Sequence, residues 1–173
     1  MNLDNDINNT SLVLAFELLP SGKILLFPGD AQYGNWQSWT ETTKGKDLLK
    51  RTVFYKVGHH GSHNATQLEG GLLRMDSDDL IAMIPVDTAK ARNRNWAMPA
   101  PLLSQLLVKQ TRGRLLTNIE EPVGSVPDPS CPPQLPDMPA GNIITKADWE
   151  AFTKATKVDM SPDHLWIEYT FTA

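Results

Sequence analysis

At 173 residues with 40% hydrophobic content, the chain is long enough for one globular domain with its own core. A formal net charge of −4 removes any bulk electrostatic reason for nucleic-acid or anionic-membrane binding, and the basic clusters at 90–94 and 112–114 read as solvated turns. A single cysteine, Cys131, excludes an internal disulfide, no apolar run approaches the roughly 18 residues of a membrane span, and the N-terminus is acidic and amide-rich, unlike a signal peptide; the expected location is the cytoplasm.

In chain order, residues 11–17 read as a strand, Pro20-Ser21-Gly22 as a tight turn, and 23–27 as the returning strand of a hairpin. Pro28-Gly29 stops that strand and leaves Asp30 at its C-terminal end. Residues 33–50 are expected to be helical with an interruption at Gly45. The mostly apolar stretch 53–57 is expected to be a strand buried on both faces. A short helix near 67–75 leads to a fourth strand at 80–84. Pro101 is placed to open a helix over 102–110 with Gly113 near its end, and 114–118 reads as the fifth strand. Residues 122–139 hold seven of the 13 prolines and read as an irregular excursion. Thr145-Lys146-Ala147-Asp148 has the form of a capping box for a helix carrying Trp149 and Phe152, and 165–171 closes the chain as an alternating strand. A hairpin followed by alternating helices and strands indicates a layered α/β fold.

Two stretches carry chemistry. "ILLFPGD" ends on Asp30, and "KVGHHGSHN" places His59, His60 and His63, three of the four histidines, just after an apolar strand. Strand ends are where α/β folds aim several side chains at one point, and neighbouring strands lie about 5 Å apart. Asp30 and one of His59 or His60 are therefore placed to share a divalent ion. Asp after Gly is also ordinary turn chemistry, and an isolated His pair in a polar loop often does no more than hydrogen bond. The succession of the two motifs is what favours metal. Ser62 is a candidate phosphate donor, and His63 reads first as a turn residue and second as a group that supports a ligand or contacts substrate. Trp36, Trp39 and Trp96 are candidates for a substrate cleft or for core packing. Cys131 has no histidine near it in sequence and reads as an incidental thiol.

"NNTSLVLAFELLPSGKILLFPGDAQYGNW" followed by "LLKRTVFYKVGHHGSHNAT" resembles the C-terminal half of a metallo-β-lactamase-fold hydrolase, closest to the competence-type (ComEC-like) DNA-uptake branch. The resemblance covers roughly residues 8–118. It implies an α/β chain forming half of an αββα sandwich, one mixed sheet with flanking helices. The corresponding division is a half-domain at 1–121, a proline-rich loop at 122–141, and a C-terminal helix and strand at 142–173 packing on the same domain. It also implies that Asp30 bridges two metals, zinc or manganese, that His59 or His60 binds one of them, and that a metal-bound hydroxide attacks a phosphodiester. Catalytic and metal residues are thus expected at Asp30, His59 and His60.

The chain departs from that family in two places. The family's first half carries a His-x-His-x-Asp-His cluster that is not present here, where His164 is the only histidine outside the 59–63 motif. Where relatives often have Gly-His-Pro, this chain has Ala97-Met98-Pro99, and methionine is a poor ligand for hard hydrolytic metals. The chain alone is therefore expected to bind metal weakly and to be inactive, with nucleic acid only a substrate of a completed enzyme. A rival expectation is a non-catalytic, partner-binding module that keeps degenerate site motifs. With helices on one face only, and a last strand too short to cover the other, the open face calls for the missing N-terminal half or a second copy in a homodimer.

Overall fold

The computed structural model describes residues 10–117, 144–159 and 166–171. The proline-rich stretch 122–139, Cys131 and His164 lie outside them.

β1 (Leu14–Leu18) and β2 (Lys23–Phe27) pair antiparallel, with Phe16 opposite Leu25, as the hairpin pattern predicts. Two helices follow, α1 (Tyr33–Thr40) and α2 (Thr43–Lys50). The break between them falls at Glu41-Thr42, not at Gly45. Thr42 caps α2, its Oγ1 accepting the Gly45 N–H at 3.0 Å. Gly45 sits inside α2, where a Cβ would lie 2.0 Å from Trp39 O, so the position admits only a hydrogen.

β3 (Thr52–Lys56) is buried along nearly all its length, and a 3-10 turn at Gly58–Gly61 carries the histidine pair. The helix expected near 67–75 is reduced to one 3-10 turn, Leu72–Arg74. Gly70 and Gly71 weaken helix there, and the Gln67 side chain is committed to Thr40, accepting its hydroxyl at 2.8 Å. β4 (Ile81–Ile84) precedes α3 (Thr88–Asn93), a short helix where the basic cluster at 90–94 had suggested a turn. Asp87 caps it, Oδ1 accepting the Lys90 N–H at 2.8 Å. α4 (Pro101–Gln110) begins on its proline, and β5 (Leu115–Thr117) ends the sheet. The other basic cluster is only partly solvated: Arg112 is half-buried and pairs with Asp78, and the buried Arg114 guanidinium donates to Thr111 O and Asp78 O. Thr145 caps α5 (Lys146–Ala155), which runs into β6 (Thr156–Val158), a strand with no clear signal in sequence, paired antiparallel with β7 (Ile167–Tyr169).

The protein is an α/β molecule built on a mixed five-stranded sheet, order β1-β2-β3-β4-β5, parallel except for β1. Parallel strands in sequential order, joined by crossovers of one hand, place every crossover on one face. That face holds Trp36, Leu49, Leu72, Leu103 and Leu107 against Leu26, Tyr55, Ala82 and Ile84. Alternation along the same strands sends Phe54, Ile81 and Leu116 to the other side. There the expectation of helices on one face only is overturned. Ile144, Trp149 and Phe152, with Ile167, Tyr169 and Phe171, pack on the second face, and Phe171 meets Phe54 edge to face at 5.5 Å. The helix supplies the cover that the last strand is too short to give. The β1 end of that face is less covered: Leu14 is 41% and Phe16 51% exposed. Among the described residues, no helix is long and apolar enough to cross a membrane.

Candidate functional site

The chemistry-bearing loops all leave the C-terminal ends of parallel strands, the end at which open α/β sheets bind ligands. The loop after β2 presents Asp30, the loop after β3 presents His59 and His60, and the loop after β4 presents Asp87 and then α3. These loops are sewn together by backbone contacts. The His59 N–H donates to Gly29 O at 3.1 Å, and the Ala100 N–H donates to Gly61 O at 2.8 Å. Gly58 allows the first contact, since a Cβ there would lie 3.0 Å from Gly29 O. Gly61, at φ 76°, allows the second, because a Cβ would meet Pro99 Cβ at 2.9 Å. Asp30 is half-buried, and its N–H donates to Ser11 Oγ at 3.2 Å, which ties the start of β1 to the same corner.

His59 and His60 both adopt left-handed backbone, at φ 43° and φ 53°. Such a conformation costs an ordinary residue roughly 1–2 kcal/mol. Two in succession at a strand end mark a turn whose shape is over-determined by its surroundings, and such turns cluster at functional sites.

The suitability of these residues for zinc or manganese turns on the donor atoms left free. His60 Nδ1 lies 2.9 Å from Pro85 O. A carbonyl only accepts, so Nδ1 carries the proton and Nε2 is the ring's remaining ligating atom, the arrangement found behind many metal-bound imidazoles. His59 Nδ1 is buried without a hydrogen-bond partner. The ring centroids are 6.4 Å apart. Among the described residues, however, no group of three or more His, Cys, Asp or Glu side chains is gathered as a metal site. The individual donor atoms suit zinc.

No protein family, curated protein or solved structure matches the chain.

Other sequence candidates separate. Trp36 and Trp39 do not line a cleft: they stack at 5.2 Å in the core, with Trp36 edge-on to Tyr55 at 6.0 Å. His63 borders an apolar cavity of about 160 Å³ with Leu72, Leu103 and Leu106, apart from His60. Ser62 is buried and donates to Asn64 Oδ1 at 2.9 Å, a loop-shaping role. Trp96 is 47% exposed and shares a cavity of about 150 Å³ with His60, Lys90 and Met98. Lys90 was not singled out from sequence as a site residue. Its signal was present in the basic and aromatic alternation of "KARNRNW", at the next strand-end loop after the histidines.

Proposed function

We propose that this chain is the C-terminal half of a metallo-β-lactamase-type site, of the phosphodiesterase or nuclease kind, and has no hydrolytic activity alone. The observation that supports it best is the neighbouring of the Asp30 and His59-His60 loops on adjacent parallel strands, with the His60 ring held by Pro85 so that Nε2 is its free nitrogen. In a completed site, a divalent ion would lower the pKa of a bound water and neutralise charge developing on a phosphoryl oxygen. This chain's part is to present the carboxylate and imidazole, and the remaining ligands come from a first half.

Calorimetry with zinc and with manganese tests the reading. The expected result is weak binding, reduced at least about tenfold (1.4 kcal/mol) in Asp30→Ala and in His60→Ala. Hydrolysis of bis-p-nitrophenyl phosphate is expected to be absent. Tight binding of two ions per chain, or metal-dependent turnover lost in His60→Ala, would show that the site is complete. Unchanged affinity in Asp30→Ala removes that residue from it.

A second reading, a non-catalytic module that docks a partner, is favoured by the exposed Leu14 and Phe16 on the edge strand. It predicts that neither metal ion binds, while association through β1 persists.

A further inference from the structure

We infer that the surface made by α3, Trp96 and His60 binds a phosphate-bearing aromatic base, that is, a nucleotide unit, either free or within a single strand. This deepens the preceding reading by giving the strand-end site a ligand class, yet the binding itself requires neither a metal nor a first half.

Arg51, Arg74 and Arg112 pair with carboxylates, and Arg114 is held by backbone carbonyls. Lys90, Arg92 and Arg94 are exposed and make no ion pair with a described carboxylate. In a chain of net charge −4, that is a patch of net positive charge on one short helix and its exit. Lys90 and Arg94 are one turn apart and share a face. Asp87, which caps α3 through Oδ1, keeps its negative charge, so the segment 87–94 sets one carboxylate against three cations.

An aromatic ring completes the patch. The Trp96 N–H donates to Ala91 O at 2.9 Å, which fixes the backbone beside α3, while the indole remains 47% exposed. The Arg94 guanidinium lies 5.6 Å from the ring centroid, over one face. A guanidinium stacked on an indole keeps its N–H groups available to an anion, and the exposed part of the ring is available to a planar base. Beside it, Lys90, His60 and the Asp87 carboxylate border the cavity of about 150 Å³, whose remaining walls, Val86, Ala91 and Met98, are apolar, so the phosphate belongs with Arg92 and Arg94 outside the recess and the base beside it. Cation, exposed aromatic and apolar recess together are what a stacked base with an adjoining phosphate requires. An acidic peptide would satisfy the charges and leave the indole unused.

The test uses the full chain in EDTA, so that failure of the metal reading does not alter its result. The probe is a fluorescein-labelled oligodeoxythymidylate of about 12 nucleotides, read by anisotropy at about 50 mM salt. Micromolar binding is expected, weakened at least about tenfold in Trp96→Ala and largely retained in Trp96→Tyr. Arg92→Ala and Arg94→Ala should each flatten the dependence of log affinity on log salt by about 0.7. Lys154→Ala, on the distant α5, serves as the control and should leave affinity unchanged. Displacement by thymidine monophosphate identifies a free-nucleotide site, and resistance to it identifies a strand-binding site. The inference is overturned by absence of binding, by equal competition from polyglutamate, or by full affinity in Trp96→Ala.

Discussion

Tyr55 lies in the middle of β3 with its ring fully buried and its hydroxyl 2.7 Å from Thr66 Oγ1. Burial favours the neutral phenol and pushes its pKa far above the ordinary value of 10.0. In the unfolded chain the same group ionises near pH 10, so above that pH the unfolded state loses a proton that the folded state keeps. The contribution to stability is therefore complete below about pH 10 and is lost by about 1.4 kcal/mol per pH unit above it. Tyr55→Phe should remove that alkaline slope while costing about 1 kcal/mol at neutral pH through the lost hydrogen bond. Denaturant titrations of both proteins at about pH 8 and about pH 11 measure this; identical pH slopes would assign the alkaline loss to other groups. The identity of the site residues at this scale was legible, because Asp30, His59 and His60 stand in recognisable motifs. Their donor state was not. That His60 is turned by Pro85, twenty-five positions away, depends on the loop after β4 folding beside the loop after β3.

Helix boundaries show the same division. Pro101 and Thr145 are local signals, and both open helices where the pattern places them, Thr145 Oγ1 accepting the Asp148 N–H at 3.1 Å. Gly45 is the opposite case. A glycine in a helix interior normally costs roughly 0.5–1 kcal/mol relative to alanine, so Gly45→Ala viewed along α2 alone would stabilise. Here the added Cβ would lie 2.0 Å from the Trp39 carbonyl oxygen of α1. The expected outcome is destabilisation by more than about 2 kcal/mol, with Trp36 and Trp39 displaced. Thermal melts followed by near-UV dichroism of the tryptophans would register it. A higher melting temperature would mean that the two helices separate more readily than their contact suggests. No pattern within one helix could reveal this, because the obstructing atom belongs to another.

For the molecule as a whole, the decisive fact is that strands in sequential order leave one sheet face without crossover helices. Residues 144–159 and 166–171 cover that face over β3 to β5 with Trp149, Phe152 and Tyr169. Phe16 touches Phe27 edge to face at 5.6 Å, yet it and Leu14 remain about half exposed. β1 is also an edge strand. Within Leu14–Leu18 it carries no lysine or proline to discourage pairing, and its one charge, Glu17, is paired with Arg51. Association of two copies along β1 is the expected outcome at concentrations of tens of micromolar. Light scattering coupled to size exclusion should show concentration-dependent dimer that Phe16→Lys abolishes without lowering the melting temperature. A monomer at every concentration would indicate that the C-terminal cover suffices.

By itself the sequence determined the five strands of the main sheet, the hairpin, the openings of α4 and α5 and the order of the Asp30 and His59-His60 motifs, because each is written in neighbouring residues: apolar runs between turn residues, a proline at a first turn, a threonine before an acid. Only the tertiary structure decided which face α5 covers, that Gly45 spaces two helices, that Trp36 belongs to the core and Trp96 to a surface recess, and that the basic stretch 90–94 makes no ion pair with a described carboxylate and lies beside His60. Those outcomes depend on contacts between residues far apart in the chain, and a local pattern carries no information about what will pack against it.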